Sequence, residues 1–180
     1  FPKNLSKIYF NCSQYKILCY YICSNKLNFS INLFLTNYQM NNEKPLILVT
    51  NDDGISAPGI RALVDIMATI GDVIVVAPDK AQSAMGHAIT INDTLYLNKI
   101  SKDTDVITEY SCSGTPVDCV KIGVHEILKR KPDLCVSGIN HGSNSSINVI
   151  YSGTMSAAVE AGIEGIQAIG FSLLDYDWNA

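Results

Sequence analysis

Leu46-Ile47-Leu48-Val49 is a run of four branched aliphatic residues that stops at Asn51-Asp52-Asp53-Gly54. Such a run suits a strand covered on both faces, the environment of a parallel sheet. Open α/β sheets place ligands beyond the carboxyl ends of these strands, so two adjacent acids there point to a metal ion. Asp53-Gly54 is also a favoured hairpin dipeptide, and a bare turn is the alternative. The next segment does not read as a returning strand. Ile60, Leu63, Val64 and Met67 recur at helical spacing after Pro58, which suits the first helical position. Strand, polar loop and helix make a βα unit.

The pattern continues in the same style. Gly71 ends the helix, and Asp72 to Ala77 is a second buried strand, parallel to the first. After a polar loop from Pro78 to His87, Ala88 to Leu97 and Val106 to Cys112 alternate loosely and predict two strands in a hairpin-like excursion. Thr115-Pro116-Val117-Asp118 combines a cap, a first-turn proline and an acid three residues on, opening a helix that should bury Val117, Val120, Val124, Ile127 and Leu128. Lys129-Arg130-Lys131-Pro132 closes that helix with cations and a breaker. Leu134 to Val136 is the next strand, Ile139 to Ser152 a long polar loop, Thr154 to Gly162 a helix with Met155, Ala158 and Val159 inward, and Ile166 to Phe171 a last strand. Alternation of this kind specifies an α/β, Rossmann-like three-layer fold with a mostly parallel sheet.

The 180 residues, 47% hydrophobic, suffice for one core. The net charge of −4 argues against nucleic-acid duplex as a partner, because polyanion binders carry a basic stripe. Phe1 to Gln39 stands apart: it has four lysines, no acid, no glycine and no clear period. Its apolar pieces, Ile17 to Cys23 and Phe29 to Leu35, fall short of the roughly 20 residues of a membrane helix, and no membrane association is expected. Met40 is expected to be the natural start, with residues 1–39 a non-native or disordered upstream extension and residues 40–180 the domain. The six cysteines form no C-x-x-C pair; reduced, buried thiols are expected, hence a cytoplasmic location.

Three loops converge at one edge of such a sheet. Asp52 and Asp53 follow the first strand, Ser83 the second, and Asn140 the strand at Leu134 to Val136. Two carboxylates, a hydroxyl and an amide oxygen suit one Mg²⁺ or Mn²⁺ and phosphate chemistry. Ser113-Gly114-Thr115 and Ser152-Gly153-Thr154 are helix starts whose free N–H groups could hold an anion, although each is also an ordinary cap. Asn144, Gly138 and Gly142 add donors and close backbone approach. His87 could act as an acid or a phosphate donor, or be incidental.

Thr50-Asn51-Asp52-Asp53-Gly54-Ile55, Ala57-Pro58-Gly59, Val76-Ala77-Pro78-Asp79, Gly114-Thr115-Pro116 with Asp118-Cys119, Lys131-Pro132-Asp133, Ser137-Gly138-Ile139-Asn140 and Tyr151-Ser152-Gly153-Thr154 together resemble the SurE family of survival-protein nucleotidases. The motifs run in the family's order from Leu46 to Leu173. The resemblance implies a metal-dependent phosphatase acting on nucleoside 5′- and 3′-monophosphates, sometimes on short polyphosphate, as a homodimer or homotetramer. It implies Asp52, Asp53, Ser83 and Asn140 as metal ligands, with Asp52 and Asp53 catalytic through an activated water. Asn51, Gly114, Thr115, Asn144, Ser152, Gly153 and Thr154 then lie toward substrate phosphate. Two departures stand out. Gly142-Ser143-Asn144-Ser145-Ser146-Ile147-Asn148 lacks the acidic pair many relatives carry, and the chain stops at Ala180 where family members continue, so a truncated carboxyl-terminal part is expected.

Other readings are a receiver-like signalling domain, a nonenzymatic nucleotide-binding module and an inactive fragment of the nucleotidase. A receiver needs a phospho-accepting Asp at the end of a later strand, and Asp133 begins one instead. A dinucleotide module would show Gly-x-Gly-x-x-Gly after the first strand, and that pattern is absent.

Overall fold

The computed structural model describes residues 5–11, 16–22, 44–100, 107–142, 144 and 149–174. In chain order the elements are β1 (Leu5–Asn11), β2 (Lys16–Ile22), β3 (Leu46–Thr50), α1 (Pro58–Ala68), β4 (Asp72–Pro78), β5 (Leu97–Lys99), β6 (Ile107–Cys112), α2 (Pro116–Ile122), β7 (Leu134–His141), α3 (Gly153–Ile163) and β8 (Gln167–Leu173). They form one sheet ordered β1-β2-β8-β7-β3-β4-β6-β5. The five central strands β8, β7, β3, β4 and β6 are parallel, and β5 pairs antiparallel with β6.

The period of two along each strand builds two cores. Ile47 and Val49 of β3, Val73, Val75 and Ala77 of β4, and Leu134 and Val136 of β7 face α1, meeting Ile60, Leu63, Val64 and Met67. Leu48, Val76, Cys135 and Ala168 face the other way, onto Cys119 and Val120 of α2 and Met155, Ala158 and Ala161 of α3. Helices therefore cover both faces, as the aliphatic runs require. Each fully buried Leu or Ile contributes about 1.5–3 kcal/mol of transfer free energy. Among the described residues Cys112, Cys119 and Cys135 are free and buried, and burial pushes the Cys135 thiol up to about 12. Of the other cysteines, Cys12 and Cys23 lie outside the described residues. No helix among the described residues is long and apolar enough to cross a membrane.

Leu5–Asn11 and Lys16–Ile22, within the segment expected to be a non-native or disordered upstream extension, form strands, and β2 runs antiparallel to β8. Their aromatic and branched residues favour extended backbone, and the edge of β8 supplies ladder partners. The rest of residues 1–39 lies outside the described residues. The strand expected over Ala88 to Leu97 shrinks to Leu97–Lys99, because Thr90 is drawn onto the helix layer: its N–H and hydroxyl donate to Asp118 at 3.0 and 2.6 Å. After Ile122 the second helix widens into a π-type turn over Gly123–Ile127, which leaves Val124, Ile127 and Leu128 only half-buried. Val159 is likewise half-buried. β7 runs on to His141, so the polar loop after it starts later than Ile139.

Candidate active site

β3 has β4 on one side and β7 on the other. The chain leaves β3 toward β4 and only later returns to β7, so the sheet reverses direction of growth at β3. A crevice opens outside the carboxyl ends at such a switch point. Asp52 and Asp53 follow β3 directly, the loop bearing Ser83 follows β4, and Asn140 lies at the end of β7.

The loop after β3 is held tightly. Asn51 donates its Nδ2 to the Gly54 carbonyl at 2.9 Å, and Ile55 N–H donates to Pro78 O at 2.8 Å. Gly54 adopts φ +98°, a conformation a side chain would strain. Gln82 N–H donates to the Asp52 carbonyl at 2.7 Å, which lays the Ser83 loop across the acids. Ser83 itself is exposed.

Asp52 is only 6% exposed. Thr154 donates its hydroxyl to Asp52 Oδ1 at 2.5 Å, and the Gly153 and Thr154 backbone groups at the start of α3 also favour its charged form. Burial nevertheless outweighs these bonds and raises the Asp52 pKa above the usual carboxylate range. Asp53 is half-buried, and burial, reinforced by the neighbouring Asp52 charge, raises its pKa as well, while His141 opposes the shift. Two adjacent carboxylates that both resist ionisation are what a divalent cation would relieve.

The remaining donors fit that reading. Asn140 donates its Nδ2 to Gly142 O at 2.9 Å, and its amide oxygen has no hydrogen-bond partner among the described residues. The Oδ1 of Asn51 and the hydroxyls of Thr50 and Ser137 are buried without a hydrogen-bond partner among the described residues. No cluster of three or more His, Cys, Asp and Glu occurs among the described residues. A cation here would therefore rely on the two aspartates and neutral oxygens, a hard set suited to Mg²⁺ or Mn²⁺.

The two helix starts have different fates. Ser152 caps α3 by accepting from Met155 N–H at 3.1 Å, and α3 meets Asp52 so closely that a Cβ on Gly153 would sit 2.5 Å from the Asp52 Cβ. Asn144 is buried and donates to Ser172 at 2.9 Å. Thr115, by contrast, is committed to structure: Asp118 N–H donates to its hydroxyl and Thr115 N–H donates to Asp118 Oδ2 at 2.9 Å, a capping box. The Thr115 hydroxyl also holds Ala88 O at 2.7 Å. Gly114 and Thr115 follow β6, one strand farther from β3 than β4 is. Ser143 and residues 145–148, where the sequence departs from the family pattern, lie outside the described residues.

Sequence reasoning missed two residues. His141 acts electrostatically on Asp53, and its only sequence signal was the place beside Asn140. Glu160 is 4% exposed in α3 and takes His87 Nε2 at 2.8 Å. Asp133 lies at the opposite end of the sheet, accepting from Leu46 N–H at 2.8 Å and from Arg130 at 2.8 Å, far from any receiver-like role.

The family model described as Survival protein SurE matches residues 47–180. The chain is 87% identical over 141 residues to 5′-nucleotidase SurE of Flavobacterium johnsoniae, covering 78% of this chain and 54% of that protein. It is 49% identical over 137 residues to 5′-nucleotidase SurE of Bacteroides fragilis, covering 76% and 53% respectively. The crystal structure of the SurE protein from Aquifex aeolicus aligns with TM-score 0.62 and 43% identity, over 69% of this chain and 49% of that one. The chain thus spans about half the length of the curated relatives it matches. With the switch-point acids, the parallel sheet and these matches agreeing, the chain belongs to the SurE family.

Proposed function

We propose that the protein is a metal-dependent nucleotidase that hydrolyses nucleoside 5′- and 3′-monophosphates, and short polyphosphate, to release phosphate. The observation that carries this reading is the pair of buried Asp52 and half-buried Asp53 at the switch point, with the start of α3 abutting Asp52. Relatives named 5′-nucleotidase support the substrate class. Asp52, Asp53, Ser83 and Asn140 would hold one Mg²⁺ or Mn²⁺, which when bound supplies Lewis-acid polarisation of a phosphoryl oxygen and a more acidic water. Thr154 orients Asp52, and Asn51, Asn144, Ser152 and Gly153 border the side on which a phosphoryl group would lie. Gly114 and Thr115 form a second border, held by the capping box. Asp53, the less buried of the pair, takes a proton from the attacking water; the water oxygen bonds to phosphorus as the ester P–O bond breaks, the proton held by Asp53 passes to the departing nucleoside oxygen, and no phosphoenzyme forms.

The unit carrying this chemistry runs from Met40 onward, with residues 1–39 appended to it, a division supported by a family match beginning at Ile47. We assign the cytoplasm, which the free thiols support, and a homodimer or homotetramer as the working assembly. In the full-length protein, phosphate release from AMP or GMP should require Mg²⁺ or Mn²⁺, cease with EDTA and fall about 10³-fold in Asp52→Asn. Full turnover by both Asp52→Asn and Asp53→Asn would overturn the assignment.

A further inference from the structure

Glu160 sits in the second half of α3 with both carboxylate oxygens engaged. Lys121 of α2 approaches Oε1 at 2.5 Å, and His87 Nε2 approaches Oε2 at 2.8 Å. The helices do not need this carboxylate to stay together, since Cys119 and Val120 already pack with Met155 and Ala158. Lys121 also has a second partner, Glu164 at 3.3 Å. A buried carboxylate in an apolar layer is otherwise a liability, so the His87 contact is the part that asks for a reason.

His87 closes the loop that carries Ser83. The near end of that loop is fixed by Asp79 N–H on Cys112 O at 2.8 Å and by Gln82 N–H on Asp52 O at 2.7 Å. Ser83, Ala84 and Met85 are then exposed, with Ala84 at φ +61°. The next side-chain anchor is His87 on Glu160. The same helix grips Asp52 through Thr154, six residues earlier, or about 9 Å along the axis. α3 therefore touches both Asp52 and the far end of the Ser83 loop.

We infer that Glu160 is a positioning residue that, through His87, tethers the Ser83 loop beside Asp52 and Asp53. The inference rests on the proposed role of Ser83 as a metal ligand and adds to it what holds that ligand in place. Glu160 acts through His87 and does not touch the reacting atoms. The loop end is tied to the same rigid element that orients Asp52, so the donors from two strands keep a fixed spacing.

Hydrogen exchange on the metal-free full-length protein reads the tether directly. Peptides covering residues 79–90 should exchange at least tenfold faster in His87→Ala and in Glu160→Ala, with β3 and β7 unchanged. His87→Gln, which keeps a donor near the Nε2 position, should exchange close to the parent rate. His87 is partly exposed, so its replacement leaves the fold intact even if Glu160→Ala does not. Mn²⁺ titration followed by electron paramagnetic resonance should show at least tenfold weaker binding in both alanine variants. The double variant should bind no more weakly than either single one, because the pair acts as a unit. Parent-like exchange of the loop in both alanine variants, or unchanged Mn²⁺ affinity in both, overturns the tether. A parent protein that binds Mn²⁺ but releases no phosphate from AMP removes the proposed function and leaves the tether standing.

Discussion

Asp52 sets two tendencies against each other: the Thr154 hydroxyl and the start of α3 stabilise its charge, while burial opposes it and wins. Such a residue lowers the stability of the metal-free fold at neutral pH. Because its pKa is raised above the ordinary 3.8 of an aspartate, the unfolded chain loses its proton first as pH rises, and folding stability falls through the window above 3.8. Asp52→Asn retains an oxygen for Thr154 and should stabilise the metal-free protein at pH 7 by about 1 kcal/mol, as relief of a strained site commonly does. The gain should vanish below pH 3.8. Denaturant titrations at both pH values check this, and added Mn²⁺ should raise the melting temperature of the parent but not of the variant. The acids were legible because an aliphatic run ending in two carboxylates is a local pattern. Glu160 and His141 were not, since their partners are distant or set by the end of β7.

At the scale of elements, α3 is the part whose placement matters most. Gly153→Ala would ordinarily strengthen a helix by about 1 kcal/mol. Here the new Cβ would lie 2.5 Å from the Asp52 Cβ, and overpacking of this kind costs about 1–3 kcal/mol. The expected outcome is a lower denaturation midpoint together with at least tenfold slower phosphate release, since the helix must withdraw from the acid it orients. Urea unfolding and a phosphate assay measure the two. The caps of this element and of α2 were readable, Ser152 and Thr115 from residue type and Thr115 also from the Asp three positions on. The fate of Ala88 to Leu97 was not: its alternation suits a strand, but Asp118 offers Thr90 better partners than a sheet edge does.

For the whole molecule, the sheet carries a parallel centre with antiparallel additions at both ends. β1 and β2 attach through β8, while the two apolar cores rest on β3, β4, β7 and the three helices. Deleting residues 1–39 should therefore leave a folded protein in which β8 amides exchange faster while β3 and β4 stay protected, as hydrogen exchange by mass spectrometry would show. By itself the sequence determined the βα alternation, the two-sided burial of the aliphatic strands and the switch-point acids, because each follows from periodicity and residue type within a short window. Only the tertiary structure decided which helix start meets Asp52, that Thr115 serves a capping box, and that Glu160 reaches back to His87. Those outcomes depend on strand order and helix placement, which bring together residues up to about a hundred positions apart, and no local pattern encodes that distance.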